Sequence, residues 1–125
     1  MRKIALLTAL CAVVFSGCAS RVTNLTPTRQ PRNAAGVYPV EFVWDTQQQS
    51  VIDGSLKPVV VIGMEQYPMR PALNIANRFE AVIPVPADKT FTVYNFKVNF
   101  MYRGYGSPKQ DSKLSPSYRL DIVDK

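Results

Sequence analysis

The sequence predicts an all-β protein, a single small antiparallel β-sandwich preceded by an N-terminal segment that lies outside the domain. Three observations lead to this class. The chain has 125 residues, which is enough for one domain but not for two. From residue 37 onward, apolar and polar residues alternate with the period of two that belongs to strands. No amphipathic helix pattern follows residue 18, and about seven strands in so short a stretch fit a sandwich.

Two strands are expected in the first half of the domain. Residues 37–45 alternate in polarity, which predicts a strand with one apolar face. The side chains on that face would be Tyr38, Val40, Phe42 and Trp44. Residues 57–66 are rich in β-branched side chains, which predicts a central strand buried on both faces. Pro58 belongs at the start of that strand, where no backbone donor is needed.

Three further strands are expected in the second half. Residues 78–85 form the first of them, and Pro84 marks its end or an edge position. Residues 87–89 then make a turn. Residues 90–103 are the clearest strand, about 45 Å long at about 3.3 Å per residue, so a bend or bulge is expected. The set closes with residues 118–123, and short extra strands are expected at 50–53 and 73–76.

One stretch of the domain resembles a known architecture. In residues 78–102, a strand, the turn at 87–89 and an aromatic-rich strand follow one another, and this pattern is similar to the middle of an immunoglobulin-like or fibronectin-like module. The resemblance implies two packed antiparallel sheets. The Cys…Trp…Cys core of antibody domains is absent from the sequence. A small barrel is the rival fold.

The first seventeen residues predict a secretory signal. Arg2 and Lys3 precede an apolar run over residues 4–15, which is too short for a permanent span of about 20 residues. The residues Phe15-Ser16-Gly17-Cys18 resemble a bacterial lipobox, although Phe15 stands where Leu is usual. The resemblance implies that residues 1–17 are removed and that Cys18 receives a diacylglyceryl thioether and an acyl group on its amine. The cysteine would then hold the protein in a membrane, because two or three chains anchor stably.

The segment after the lipid site predicts a tether. Residues 18–36 contain Pro27, Pro31 and few large apolar side chains, which is typical of a flexible linker. The domain would therefore occupy residues 37–125. Ala19 stands where an Asp would signal retention in the inner membrane, so the lipobox resemblance implies the outer membrane. Whether the domain faces the periplasm or the cell surface stays open.

The residue types argue against an enzyme. The sequence has no histidine, and Cys11 would leave with the signal while Cys18 carries lipid. General bases, nucleophile pairs and transition-metal ligands are therefore scarce, and we expect no catalytic residue, no metal and no cofactor. Glu41 and Asp45 share a strand face, but they would lie about 13 Å apart, outside the spacing of glycosidase carboxylates. Acids on this face are expected to pair with Lys97 or Arg78.

Two segments are candidates for binding a partner. Residues 104–116 are read as a long loop between strands, and long loops on a rigid sandwich often bind. Its contact residues would be Tyr105, Lys109 and Lys113. Residues 64–71 are interrupted by prolines and expose residue types that are enriched in interfaces. The candidates there are Tyr67, Met69 and Arg70.

Charge narrows the class of partner. Lys and Arg number 15 against 9 acids, for a net charge of +6, and loss of Arg2 and Lys3 lowers this to 13 − 9 = +4. Export and the lack of a basic stripe argue against nucleic acid. We therefore expect a non-catalytic accessory module that binds membrane lipid through Cys18 and another envelope protein through its loops. A glycan-binding module is the alternative and requires a row of exposed aromatic rings. A small hydrolase with two close acids is a third possibility.

Overall fold

The computed structural model describes residues 20–46 and 49–124, and these residues form strands and turns but no helix. Accordingly, no helix in this part of the chain is long and apolar enough to cross a membrane. The strands are β1 (Ser20–Asn24), β2 (Arg29–Pro31), β3 (Val37–Thr46), β4 (Lys57–Ile62), β5 (Glu65–Pro68), β6 (Arg70–Pro71), β7 (Arg78–Pro84), β8 (Phe91–Tyr102), β9 (Lys109–Leu114) and β10 (Tyr118–Val123).

The strands build two sheets, so the prediction of an all-β fold is confirmed. The first sheet has the order β1-β3-β7-β6, and the second has the order β2-β10-β8-β4-β5 with β9 also paired to β8. The pairs are antiparallel except for β2, which runs parallel to β10. Among the described residues no strand pairing joins the two sheets, so they do not close into a barrel.

The two sheets face each other across one hydrophobic core. On β3 the predicted apolar face is confirmed, because its four members Tyr38, Val40, Phe42 and Trp44 are all buried. On β8 the same alternation buries Tyr94, Phe96, Val98 and Phe100. Aromatic rings join the sheets: the centroids of Phe42 and Phe96 lie 4.7 Å apart and those of Trp44 and Phe100 lie 5.8 Å apart. Such pairs add to the stabilisation that burial alone provides.

A bulge joins β9 to β10 beside the long strand β8. Leu114 lies opposite Lys97, whereas Tyr118 lies opposite Tyr94, so the β9–β10 side contains one residue more than β8. Buried Ser115 occupies this irregularity, and its Oγ accepts a hydrogen bond from the backbone N–H of Phe96 at 2.8 Å. The irregularity that was expected in β8 therefore lies in the strands that pair with it. The Ser115 hydroxyl replaces the missing backbone acceptor for the N–H of Phe96.

The prediction of a flexible tether over residues 18–36 is wrong for the described part of that segment. Strand β1 pairs with β3 and strand β2 pairs with β10. Polar side chains attach the segment to the sheets: Asn24 Nδ2 donates to the Tyr94 hydroxyl at 3.0 Å, and Gln30 Nε2 donates to the Pro39 carbonyl at 2.8 Å. The sequence pattern missed this because the segment has few large apolar side chains, and its contact with the core through Val22 is supplemented by hydrogen bonds to distant residues.

Two other predicted elements differ from the structure. The single strand expected over residues 57–66 is a hairpin, because the chain turns at Gly63, whose φ is +60°, and returns as β5. The long loop expected over residues 104–116 is shorter, because β9 pairs with β8 through residues 109–114. The first error arises because the reversal depends on the positive φ of Gly63 within a run of β-branched residues. The second arises because β9 is polar and exposed and has no apolar face that an alternating pattern could reveal.

The remaining strand predictions are confirmed for the long strands and wrong for the two short ones. Strands β3, β7, β8 and β10 lie within about one residue of their predicted limits. Pro84 ends β7, and Lys89 N donates to the Pro86 carbonyl at 3.0 Å in the predicted turn. The two short strands are not formed. Residues 50–53 make only an isolated bridge from Val51 to Tyr102, and residues 73–76 are turn.

The strand directions define two ends of the domain. Ser20 lies opposite Thr46, at the end that also holds the starts of β4, β7 and β9. We call it the Ser20 end. The loops at residues 49–56, 72–77 and 103–108 lie there. The opposite end holds the β4–β5 turn and the connection from β7 to β8.

Candidate interaction surface

An open apolar cleft lies at the end opposite Ser20. Its volume is about 870 Å³. It forms because β4 turns back at Gly63, and this leaves the first residues of β8 without β4 beside them. We call it the edge cleft and define it by its apolar lining residues Ile62, Tyr67, Pro84, Val85, Pro86, Phe91 and Val93.

The edge cleft exposes apolar surface to solvent. Phe91 retains 41% of its accessible surface and Val93 retains 45%. Both side chains lie on the face of β8 opposite buried Tyr94, and the Arg119 guanidinium lies over the Phe91 ring, 4.0 Å from its centroid. Lys89 is the charged residue in its lining, and no carboxylate lines it. A mainly apolar hollow with Lys89 in its lining and Arg119 over one of its rings is better suited to an apolar segment of a partner than to a charged small molecule.

A hydrogen-bond network around Arg32 holds the margin of the edge cleft in place. The Arg32 guanidinium donates to the carbonyl oxygens of Ala87 and Lys89 at 3.2 and 3.0 Å, and its Nε donates to Asp124 Oδ1 at 2.7 Å. The β7–β8 connection is therefore fixed by a residue that precedes β3. Sequence reasoning placed Arg32 in the tether, and no local pattern indicates its distant partners.

The predicted candidates Tyr67, Met69 and Arg70 lie along the side of the domain next to the edge cleft. They line a second hollow of about 540 Å³, and Tyr67 contributes to both hollows. Arg70 Nε lies 3.3 Å from Glu80 Oε2, and both side chains are substantially exposed. The structure thus brings these three candidates together and connects them with the cleft.

The other predicted candidates lie elsewhere. Tyr105 is almost fully exposed in the loop at the Ser20 end, Lys109 begins β9, and Lys113 lies within β9 opposite Val98. The two predicted segments therefore do not form one surface. The reason is topological, because β5 borders one edge of the second sheet while β9 borders β8 on its other side.

Two acids of the first sheet, Glu41 and Glu80, are paired with arginines. Glu41 and Glu80 lie directly opposite each other in the pairing of β3 with β7. Arg78 forms an ion pair with Glu41, as the sequence predicted, and Arg70 pairs with Glu80. In the described ranges no group of three or more Cys, Asp or Glu side chains is arranged to hold a metal ion. These carboxylates are accounted for as ion-pair partners on a strand face.

Two aromatic residues that could have contributed to a glycan platform, Trp44 and Tyr38, are in the core. Trp44 and Tyr38 each retain 1% of their accessible surface. Neither ring can stack on a sugar. The structure therefore adds no support for the glycan-binding alternative at these two residues.

Comparison with known proteins does not assign the chain to a family. No protein-family model and no curated protein matches the chain.

Proposed function

We propose that the protein is a lipid-anchored accessory module of the cell envelope, without catalytic activity, that binds an envelope protein through the edge cleft. Lipidation is proposed at Cys18 and localisation at the outer membrane. Cys18 lies outside the described residues, so the proposal rests there on the lipobox resemblance. The position of the cleft within the fold carries the rest of the proposal.

We also propose that the two packed sheets are an immunoglobulin-like sandwich. Variable-type immunoglobulin domains have the orders A-B-E-D and G-F-C-C′ in their two sheets. Assigning β1, β3, β4, β5, β6, β7, β8 and β10 to A, B, C, C′, D, E, F and G reproduces both orders. This correspondence supports the resemblance that the sequence pattern of residues 78–102 suggested.

The observation that carries the function is the placement of the edge cleft relative to the predicted anchor. Ser20, two residues after Cys18, begins β1 at one end of the domain, and the cleft opens at the other end. An anchor at Cys18 would hold the cleft on the side of the domain that is remote from the bilayer. A partner in the periplasm or on the cell surface would then have access to it.

In the part of the chain that the structure describes, no strand pairs with β7 beyond Glu80 on its β6 side, and this open edge beside the cleft favours a peptide segment as the bound element. The pairing of β6 with β7 ends at Glu80. Ala72 N donates to the Arg78 carbonyl, so the alternation of a strand directs the N–H and C=O of Val82 to that same open edge. Val82 itself is 57% exposed. An extended partner segment can pair with such an edge while its side chains enter a neighbouring hollow.

Site-specific photocrosslinking in native membranes tests the partner surface. A photoreactive phenylalanine analogue at Val93 places the probe on the cleft. The same analogue at Leu114, which is 59% exposed on β9, is the matched control. We expect one defined crosslinked protein from Val93 and none from Leu114. Equal crosslinking from both positions, or none from Val93, would refute the assignment of the cleft.

The anchor has its own test. The Cys18→Ala variant should lack the lipid and should no longer partition into detergent as the wild-type protein does. Mass spectrometry of the wild-type N-terminal peptide should find an acylated Cys18. A variant that is cleaved after its signal and still partitions with the wild-type protein would show that Cys18 is not the anchor.

A further inference from the structure

The Ser20 end carries exposed apolar side chains that the proposed partner surface does not use. In the loop at residues 72–77, Leu73 is 85% exposed and Ile75 is 46% exposed. Asn74 and Asn77 flank Ile75 with φ of +63° and +62°, and Asn77 O accepts a hydrogen bond from Trp44 N at 2.8 Å. The loop is thus held against the sheet while its two aliphatic side chains remain outside the core.

A second loop at this end combines an aromatic ring with two cations. Tyr105 is 96% exposed, and Arg103 and Lys109 border its loop. No acid occurs between residues 103 and 110. The Lys109 side chain lies across Gly104, where an added Cβ would come within 3.0 Å of Lys109 Cε. Gly104 therefore leaves room for the alkyl part of Lys109 beside the Tyr105 loop.

The connection between the predicted lipid site at Cys18 and strand β1 is short enough to hold these loops near a membrane. Only Ala19 separates Cys18 from Ser20, and two Cα–Cα steps span at most about 7.6 Å. Because Ser20 already belongs to β1, no long tether lies between the acylated cysteine and the Ser20 end. The loops of that end must then lie close to the surface in which the acyl chains are inserted.

We propose that the loops at residues 72–77 and 103–108 dock on the phospholipid surface, with Leu73, Ile75 and Tyr105 in its interfacial layer. This inference rests on the proposed lipidation of Cys18. Aliphatic and aromatic side chains bordered by Arg and Lys are the composition that the bilayer interface favours. Asp53 is the acid in the third loop of this end, so the contact depends on apolar insertion more than on net charge. Docking of two loops on opposite sheets would fix the tilt of the domain and direct the edge cleft away from the bilayer.

The chain offers a clean labelling strategy in its processed form. Cys11 is removed with the signal and the Cys18 sulfur is blocked by the thioether, so an engineered cysteine would be the only thiol. Leu73→Cys and Tyr105→Cys place an environment-sensitive fluorophore on the two loops. Met64→Cys is the matched control, because Met64 is 99% exposed at the opposite end. Each lipoprotein is labelled and reconstituted into vesicles of phosphatidylethanolamine and phosphatidylglycerol, with or without bromine on the acyl chains.

We expect the labels at positions 73 and 105 to shift to shorter emission wavelength and to be quenched by brominated lipid. A depth of about 5–10 Å in the interface should give quenching roughly twofold or more above that of the label at position 64. If all three labels emit at the wavelength of the fluorophore in water and brominated lipid quenches them equally, the docking proposal is overturned. The failure of the lipidation proposal is distinct, because Cys18 would then take up label and the wild-type chain would react with the thiol reagent.

Discussion

Ser115 is expected to contribute more to stability than any other serine in the described part of the chain, and Ser115→Ala tests this. The Ser115 side chain is 4% exposed. Its Oγ accepts from Phe96 N at 2.8 Å and donates to the Pro116 carbonyl at 2.8 Å. Alanine would remove both bonds and leave the Phe96 N–H buried in the bulge without its acceptor. An unsatisfied buried donor costs about 1–3 kcal/mol, so we expect a loss of about 2–3 kcal/mol in the free energy of unfolding.

Urea unfolding, followed by the fluorescence of the single tryptophan, Trp44, measures the effect. With an m-value of about 2 kcal/mol per M, the midpoint should fall by about 1 M or more. Ser117→Ala is the matched control, because Ser117 is exposed and its Oγ only accepts from Asn95 Nδ2 at 3.2 Å. That control should change stability by less than about 0.5 kcal/mol. If Ser115→Ala is as stable as Ser117→Ala, the bulge does not depend on the serine hydroxyl and the reasoning fails.

Three further predictions concern the core, a turn and an ion pair. Trp44→Phe should cost less than about 2 kcal/mol, against about 3–5 kcal/mol for Trp44→Ala, because the buried Nε1–H of Trp44 has no hydrogen-bond partner among the described residues. Calorimetry of both variants checks this order. Gly63→Ala should cost about 1 kcal/mol through its φ of +60° alone, since nothing lies within 4 Å of the added Cβ; a cost near zero in chemical unfolding would contradict it. A double-mutant cycle on Arg78 and Glu41, whose side chains are 32% and 25% exposed, should give a coupling of about 0.5–1 kcal/mol that decreases in 1 M salt. A coupling that is unaffected by salt would exclude a screened ion pair.

The local pattern of the sequence was sufficient for the strands that carry the core. The alternation in residues 37–45 and 90–103 identifies the side chains that β3 and β8 bury, because a strand directs successive side chains to opposite faces wherever it lies in a sheet. The same reasoning placed Pro58 at the start of β4 and Pro84 at the end of β7. These are properties of a few adjacent residues, and no knowledge of the neighbouring strands is needed to predict them.

The proposed interaction surface could be predicted only in part from the sequence. Tyr67, Met69 and Arg70 were selected for their residue types, and the structure gathers them beside the edge cleft. Phe91 and Val93 were not selected, although the alternation of β8 places both on the face opposite buried Tyr94. That they border a hollow follows from the early turn of β4 away from β8. A sequence window around Phe91 contains no information about Gly63, which lies in the turn between β4 and β5.

The segment between the predicted lipid site and β3 shows most clearly what depends on tertiary structure. Its prolines and polar residues indicate a linker, and by composition alone nothing contradicts this. Asn24 and Gln30 find their hydrogen-bond partners on Tyr94 and Pro39, which are 70 and 9 residues away in the chain. The class of fold and the apolar faces are encoded locally, through the period of the side chains, and the proposed processing signal is a short motif. The strand order, the bulge at Ser115 and the short connection from Cys18 to the domain follow from pairing between distant segments, whose hydrogen bonds exist only once both are in place.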